Sequence, residues 1–146
     1  MAGRLAIADL KAYLAGPWRV RRRIDDRRRD ERGSFEGGAA FCRERQGLRY
    51  RERGVLRLNG YEGEAGRDYV YAFPVAAVAE VYFDDGRFFH ALDLSGGTWS
   101  VEHRCGDDLY RGDFAVDGKD RWRAVWRVDG PRKALILDAE YRRTPA

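Results

Sequence analysis

Residues 84–110 read DDGRFFHALDLSGGTWSVEHRCGDDLY, and apolar and polar side chains alternate through this stretch in two runs separated by Gly96-Gly97. A period of two is the mark of a half-buried strand. The spacing predicts strands over Arg87–Leu94 and Trp99–Cys105, paired as a hairpin. The pair is entered through Asp84-Asp85-Gly86 and left through Gly106-Asp107-Asp108. Phe88, His90, Leu92 and Leu94 then share one face of the first strand, and Trp99, Val101, His103 and Cys105 share one face of the second. Both faces are too apolar for water. The protein has two histidines and two cysteines, so both imidazoles and the Cys105 thiol are expected to point inward here.

Working outward, the same period runs through most of the chain. Upstream, Leu5, Ile7, Leu10, Tyr13 and Leu14 approximate a helical stripe that Gly16-Pro17 stops, which predicts one short helix over about residues 5–15. Strands follow over Trp18–Ile24, Ser34–Arg43, Leu48–Leu58, Arg67–Phe73 and Val78–Phe83. Gly37, Gly38, Ala39 and Ala40 let the second of these bend or let another backbone approach. Downstream, Leu109–Val116, Arg121–Val128 and Lys133–Arg142 alternate in the same way, divided by Asp117-Gly118-Lys119 and Asp129-Gly130-Pro131. About ten antiparallel strands with short turns, each with one apolar face, cannot stay flat in a chain of this size. Closure into an up-and-down barrel removes the edges, and a two-sheet sandwich is the main alternative.

At 146 residues, 44% of them hydrophobic, the chain is expected to form a single domain over residues 1–146 with a sizeable core. The net charge of +4 is the balance of 28 basic and 24 acidic residues. The outward arginines, Arg19, Arg21 and Arg23 on the first strand, Arg49, Arg51 and Arg53 on the third, and Arg121, Arg123 and Arg127 on the ninth, are expected to be balanced by cross-strand acids such as Glu36 and Glu44. Nucleic acid is therefore not an expected partner. No run approaches the roughly 18 apolar residues of a membrane span, and no leader pattern opens the chain, so no membrane partner and a cytoplasmic location are expected. Cys42 alternates outward and Cys105 inward, which argues against a disulfide between them.

Gly16-Pro17-Trp18 opens the first strand of a meandering barrel, and a basic residue, Arg142 or Arg143, follows the last. This pattern is similar to the calycin group, whose Gly-x-Trp tryptophan closes the barrel bottom and packs against a late arginine. A longer series is more specific: Gly47-Leu48-Arg49-Tyr50-Arg51-Glu52 with Gly54, then residues 83–90, 103–110 and 126–133. It resembles a family of uncharacterised bacterial domains with a calycin-like, lipocalin-like barrel, over nearly the full chain. The resemblance implies the fold and carries no activity. The reading is an all-β protein: an antiparallel up-and-down calycin-like barrel of about ten strands, preceded by one short N-terminal helix.

Alternation fills that barrel with an unusual set of side chains: Arg22, Tyr50, Glu52, Tyr69, Tyr71, His90, His103, Cys105 and Tyr110, against an apolar wall of Phe88, Phe114, Trp122 and Trp126. A buried unpaired charge costs several kcal/mol, so Arg22 and Glu52 are expected to pair or to face a wet cavity. A small, partly polar organic ligand inside the barrel, in a monomer or homodimer, is the leading expectation. An enzyme using an interior histidine as acid or base, and an interaction protein using the basic outer surface, are the alternatives. His90, His103 and Cys105 have no metal-ligand spacing, so no metal or cofactor is expected.

Overall fold

The computed structural model describes residues 4–145. After a short helix, α1 (Leu10–Leu14), come ten strands: β1 (Gly16–Asp26), β2 (Glu31–Glu44), β3 (Gly47–Leu58), β4 (Tyr61–Val75), β5 (Val78–Phe83), β6 (Phe88–Asp93), β7 (Thr98–Cys105), β8 (Asp108–Gly118), β9 (Arg121–Gly130) and β10 (Lys133–Arg143). They form one antiparallel sheet in the order β6-β5-β4-β3-β2-β1-β10-β9-β8-β7, rolled into a nearly closed barrel. The up-and-down course puts the turns after β1, β3, β5, β7 and β9 at one end, the mouth, and α1 with the remaining turns at the other.

The expected hairpin of residues 87–105 is not one. β6 and β7 follow each other in the chain but are the two edges of the sheet, with no ladder between them. The segment before α1, where a helix was expected to begin, has no regular structure and bonds at the closed end of this seam. At the closed end the Leu5 amide donates to the carbonyl of Val116 (3.1 Å) and the Ile7 amide to that of Leu94 (3.0 Å), while the Val116 amide donates to Gly97 (2.9 Å). This strap ties Leu94, just past β6, to Val116 on β8. Across the rest of the seam the Trp99 indole N–H donates to the Ala91 carbonyl (2.9 Å).

The helix is five residues long, capped by Asp9, whose carboxylate accepts from the Ala12 amide (3.0 Å). The chain leaves the helix through Ala15 and opens β1 at Gly16, whose φ of 106° lies where a side chain is strained. Leu10 and Leu14 are fully buried and plug the closed end. Trp18 is buried beneath them, donating its indole N–H to the Leu14 carbonyl (2.8 Å). Of the two candidate arginines, Arg143 takes the tryptophan, its guanidinium carbon 4.3 Å from the ring centroid. Gly37 faces Gly54 across β2 and β3, and a Cβ on Gly37 would run into the Arg53 carbonyl oxygen, which explains the glycine at that position.

On the outer face the arginines meet acids on neighbouring strands. Arg21 reaches Glu36 (3.8 Å), Arg49 reaches Glu44 (2.8 Å), and Arg23 and Arg123 share Asp138 (3.3 and 2.7 Å). Exposed pairs of this kind contribute about 0–1 kcal/mol each.

Candidate functional site

The interior is built around Glu52, which is only 1% exposed. Arg22 on β1 and Glu52 on β3 both alternate inward, and the narrow β2 between them presents Ala39 opposite Glu52, so the two long side chains can meet over it. They do so through two parallel bonds, Nη1 to Oε2 (2.8 Å) and Nη2 to Oε1 (3.0 Å), the fork geometry that makes arginine–carboxylate pairs strong. The Tyr50 hydroxyl also donates to Glu52 Oε1 and lies 3.1 Å from the Tyr141 hydroxyl, while Arg22 Nη2 donates to Tyr141 (3.2 Å). Burial alone would raise the Glu52 pKa. The Arg22 hydrogen bonds and charge, with Arg67 and the Tyr50 hydroxyl, more than reverse this and hold the carboxyl below its ordinary value.

Two histidines bracket this interior, but they do not share one chamber. At β6 the register against β5 slips: Val81 faces His90 while Tyr82 faces Phe88, so Phe89 is the extra residue of a bulge. The slip turns Phe88 outward, 50% exposed, and buries Phe89 beside His90. Phe88, expected in the apolar wall, is therefore outside, and Phe89 takes its place. The Phe89 ring packs between the imidazoles, 4.7 Å from His90 and 5.2 Å from His103. It stacks on Trp126 (5.1 Å, 23°) and on Phe83 (4.5 Å, 18°). Gly112 makes room for Trp126, since a Cβ there would sit 2.8 Å from the indole.

The Phe89–Trp126 layer divides the inside into two. Beneath it lies a hole of about 50 Å³ bordered by His90, Tyr71, Trp122, Phe114 and the Arg22–Glu52 group. A buried water needs about 10–15 Å³ on this measure, so the hole has room for a few waters and for no organic molecule. The buried Trp122 Nε1 has no protein partner among the described residues and is a natural donor to such a water. His90 Nδ1 lies 2.8 Å from the Ala91 carbonyl. A carbonyl only accepts, so Nδ1 carries the proton. Burial pushes the His90 pKa down to about 4, against the pull of that hydrogen bond, and the ring is neutral at pH 7.

Above the layer the barrel opens into a cavity of about 350 Å³, bordered by Tyr69, Phe83, Phe89, His103, Tyr110 and Trp126 among others. The wall is cut away on one side here: β4 runs fifteen residues but pairs with β5 only from Tyr69 down, and β5 and β6 have six each. Cys105, expected inside, is exposed at the rim because β7 ends there, and Cys42 is exposed as its alternation implied. Of the expected residues, Arg22, Tyr50, Glu52, Tyr71, His90 and Trp122 are buried together around the inner hole. His103, Cys105 and Tyr110 border the mouth, and Tyr69 and Trp126 border both spaces. Two members were missed. Tyr141 bonds to Arg22 and Tyr50, and Arg67, directly opposite Glu52 in register, reaches Glu52 Oε2 with its Nε (3.3 Å). Arg67 has the same parity as Tyr69 and Tyr71, and that parity was the available signal.

Residues 14–143, all ten strands, match the model of a family of unknown function, DUF6314. The chain belongs to that family. Among curated proteins none matches it. Among solved structures it is similar to an S-type phycobiliprotein lyase from Guillardia theta, with a TM-score of 0.68 and 7% identity over 99% of this chain and 96% of that one. It is also similar to a protein of unknown function from the DUF3598 family of Nostoc punctiforme, with a TM-score of 0.62 and 10% identity over 98% of this chain. The chain spans 51% of that second protein. At these identities the likeness is one of fold. Among the described residues no helix is long and apolar enough to cross a membrane.

Proposed function

We propose that this barrel binds a small, partly polar organic molecule, held at its mouth. The observation that carries the reading is the cavity of about 350 Å³ above the Phe89–Trp126 layer, a size within the range of about 300–1,000 Å³ for small-molecule sites. Its walls are aromatic and aliphatic, and its polar groups are few and placed: the Tyr69 and Tyr110 hydroxyls, the His103 ring, the Cys105 thiol and the Arg67 and Arg87 guanidinium groups. The inner set of Arg22, Tyr50, Glu52, Tyr71, His90 and Trp122 serves this site as a packed floor, hydrogen-bonded at its Arg22–Glu52–Tyr50 centre, since the hole they border is too small for an organic ligand. A barrel of this shape occurs in the phycobiliprotein lyase of Guillardia theta, and the likeness extends to the fold. Two exposed, unpaired cysteines favour a reducing compartment such as the cytoplasm.

Native mass spectrometry of the protein purified from its own host tests the reading and gives the oligomeric state in the same spectrum. A retained small mass that Trp126→Ala sheds is the expected result. A bare protein mass, with no uptake from a host metabolite extract, contradicts it. Conversion of the retained molecule on incubation would favour the alternative of an enzyme using a histidine at this site.

A further inference from the structure

We infer that the molecule held at the mouth is a flat, conjugated anion: a ring system bearing a carboxylate, sulfonate or phosphate. The inference rests on the mouth being a ligand site and concerns what that site selects.

Its first support is charge. Arg67 and Arg87 both border the cavity, and none of the twelve side chains lining it is an acid. Arg67 does touch Glu52, but that carboxylate is already matched by Arg22 through two bonds, so two guanidinium groups meet one buried charge. One positive charge is left over where the floor meets the cavity. Arg67 spends Nε on Glu52 (3.3 Å) and Nη1 on the Tyr69 hydroxyl (3.3 Å), and its side chain keeps 43% of its surface exposed. Its remaining donors have no protein acceptor among the described residues. Arg87, on the turn after β5, bonds Asp85 outside the cavity (2.8 Å) and lies over the Phe83 ring at 5.2 Å. A guanidinium in such a place binds an acidic group with two parallel hydrogen bonds.

The second support is shape. Phe83, Phe89 and Trp126 stack in near-parallel succession, with interplanar angles of 18° and 23°. Rings stacked in this way cover one another's faces and turn their edges to the cavity, and a row of ring edges beside a guanidinium offers the face of an aromatic molecule edge-to-face contact and its acidic group charge pairing, while a flexible aliphatic acid would use only the second.

Two fluorescent probes of one ring scaffold separate the claims: anilinonaphthalene sulfonate, an anion, and phenylnaphthylamine, which is uncharged. Both are titrated into the wild type, Arg67→Gln and Arg87→Gln, with near-ultraviolet circular dichroism as the check on folding. Arg87 stands at the exposed rim, so that variant keeps the test alive if Arg67→Gln does not fold. The expected result is that the sulfonate weakens about tenfold in the arginine variants and in high salt, while the amine is unchanged. If the amine binds but the sulfonate shows neither arginine nor salt dependence, the anion claim is overturned and the mouth remains a ligand site. If neither probe binds the wild type, both readings fall.

Discussion

Below neutral pH, His90 and Glu52 are buried groups whose protonation bears on folding, and both act in the same direction. His90 is held neutral, its pKa pushed down to about 4 from 6.5 by burial. As pH falls through 6.5 the unfolded chain takes up a proton that the native state refuses until about pH 4, so stability drains across that window. The shift corresponds to about 3 kcal/mol. Glu52, held below its ordinary value of 4.5 by Arg22 against the effect of burial, contributes stability that is present above pH 4.5 and lost as pH falls through its folded value. Urea unfolding across pH is expected to show both limbs, and His90→Gln to flatten the upper one while leaving the lower. An unchanged upper limb in that variant would place the proton uptake elsewhere. At this scale much was legible beforehand: the parity of Arg22 and Glu52 put two opposite charges inside, and burial without pairing was too costly to be the answer. Arg67 and Tyr141 carried the same parity but looked like, respectively, a strand end and a core aromatic.

The β6 bulge is the element on which the site turns. Strict alternation put Phe88 inside with His90; a single extra residue reverses that assignment for Phe88 and Phe89 while leaving His90, Leu92 and Leu94 buried. Nothing in two consecutive phenylalanines says which of them a bulge will turn inward, so the strand was legible and its local register was not. Phe89→Ala is expected to cost about 3 kcal/mol or more, since it removes the ring that stacks on Phe83 and Trp126 and joins the inner hole to the mouth. Phe88→Ala, which gives up an edge contact with Tyr82, is expected to cost under about 1 kcal/mol. Chemical denaturation of the two variants reads this directly, and equal costs would contradict the bulge.

Across the whole molecule, ten strands and a meandering order followed from turn spacing alone, because each apolar face needs a partner. The position of the seam did not. Consecutive strands joined by a tight Gly-Gly turn ordinarily pair, yet β6 and β7 are the two edges of the sheet, with the strap of residues 5–7 tied to Leu94 and Val116 at the closed end of the seam. Their seam-facing amides are expected to exchange with solvent much faster than those of β1, which is laddered on both sides. Equal protection would mean that the barrel closes fully in solution. The seam and the low wall beside it place the mouth where β5, β6 and β7 are shortest, and that is where a ligand would enter.

The protein's two histidines report on the two spaces separately: His103 borders the mouth, and His90 lies beneath the Phe89–Trp126 layer. Their ring signals, followed by NMR while anilinonaphthalene sulfonate is added, test the central claim most directly. A site at the mouth predicts that the His103 resonances move with saturation while those of His90 stay close to their starting positions. A bound probe that leaves His103 unmoved would contradict it.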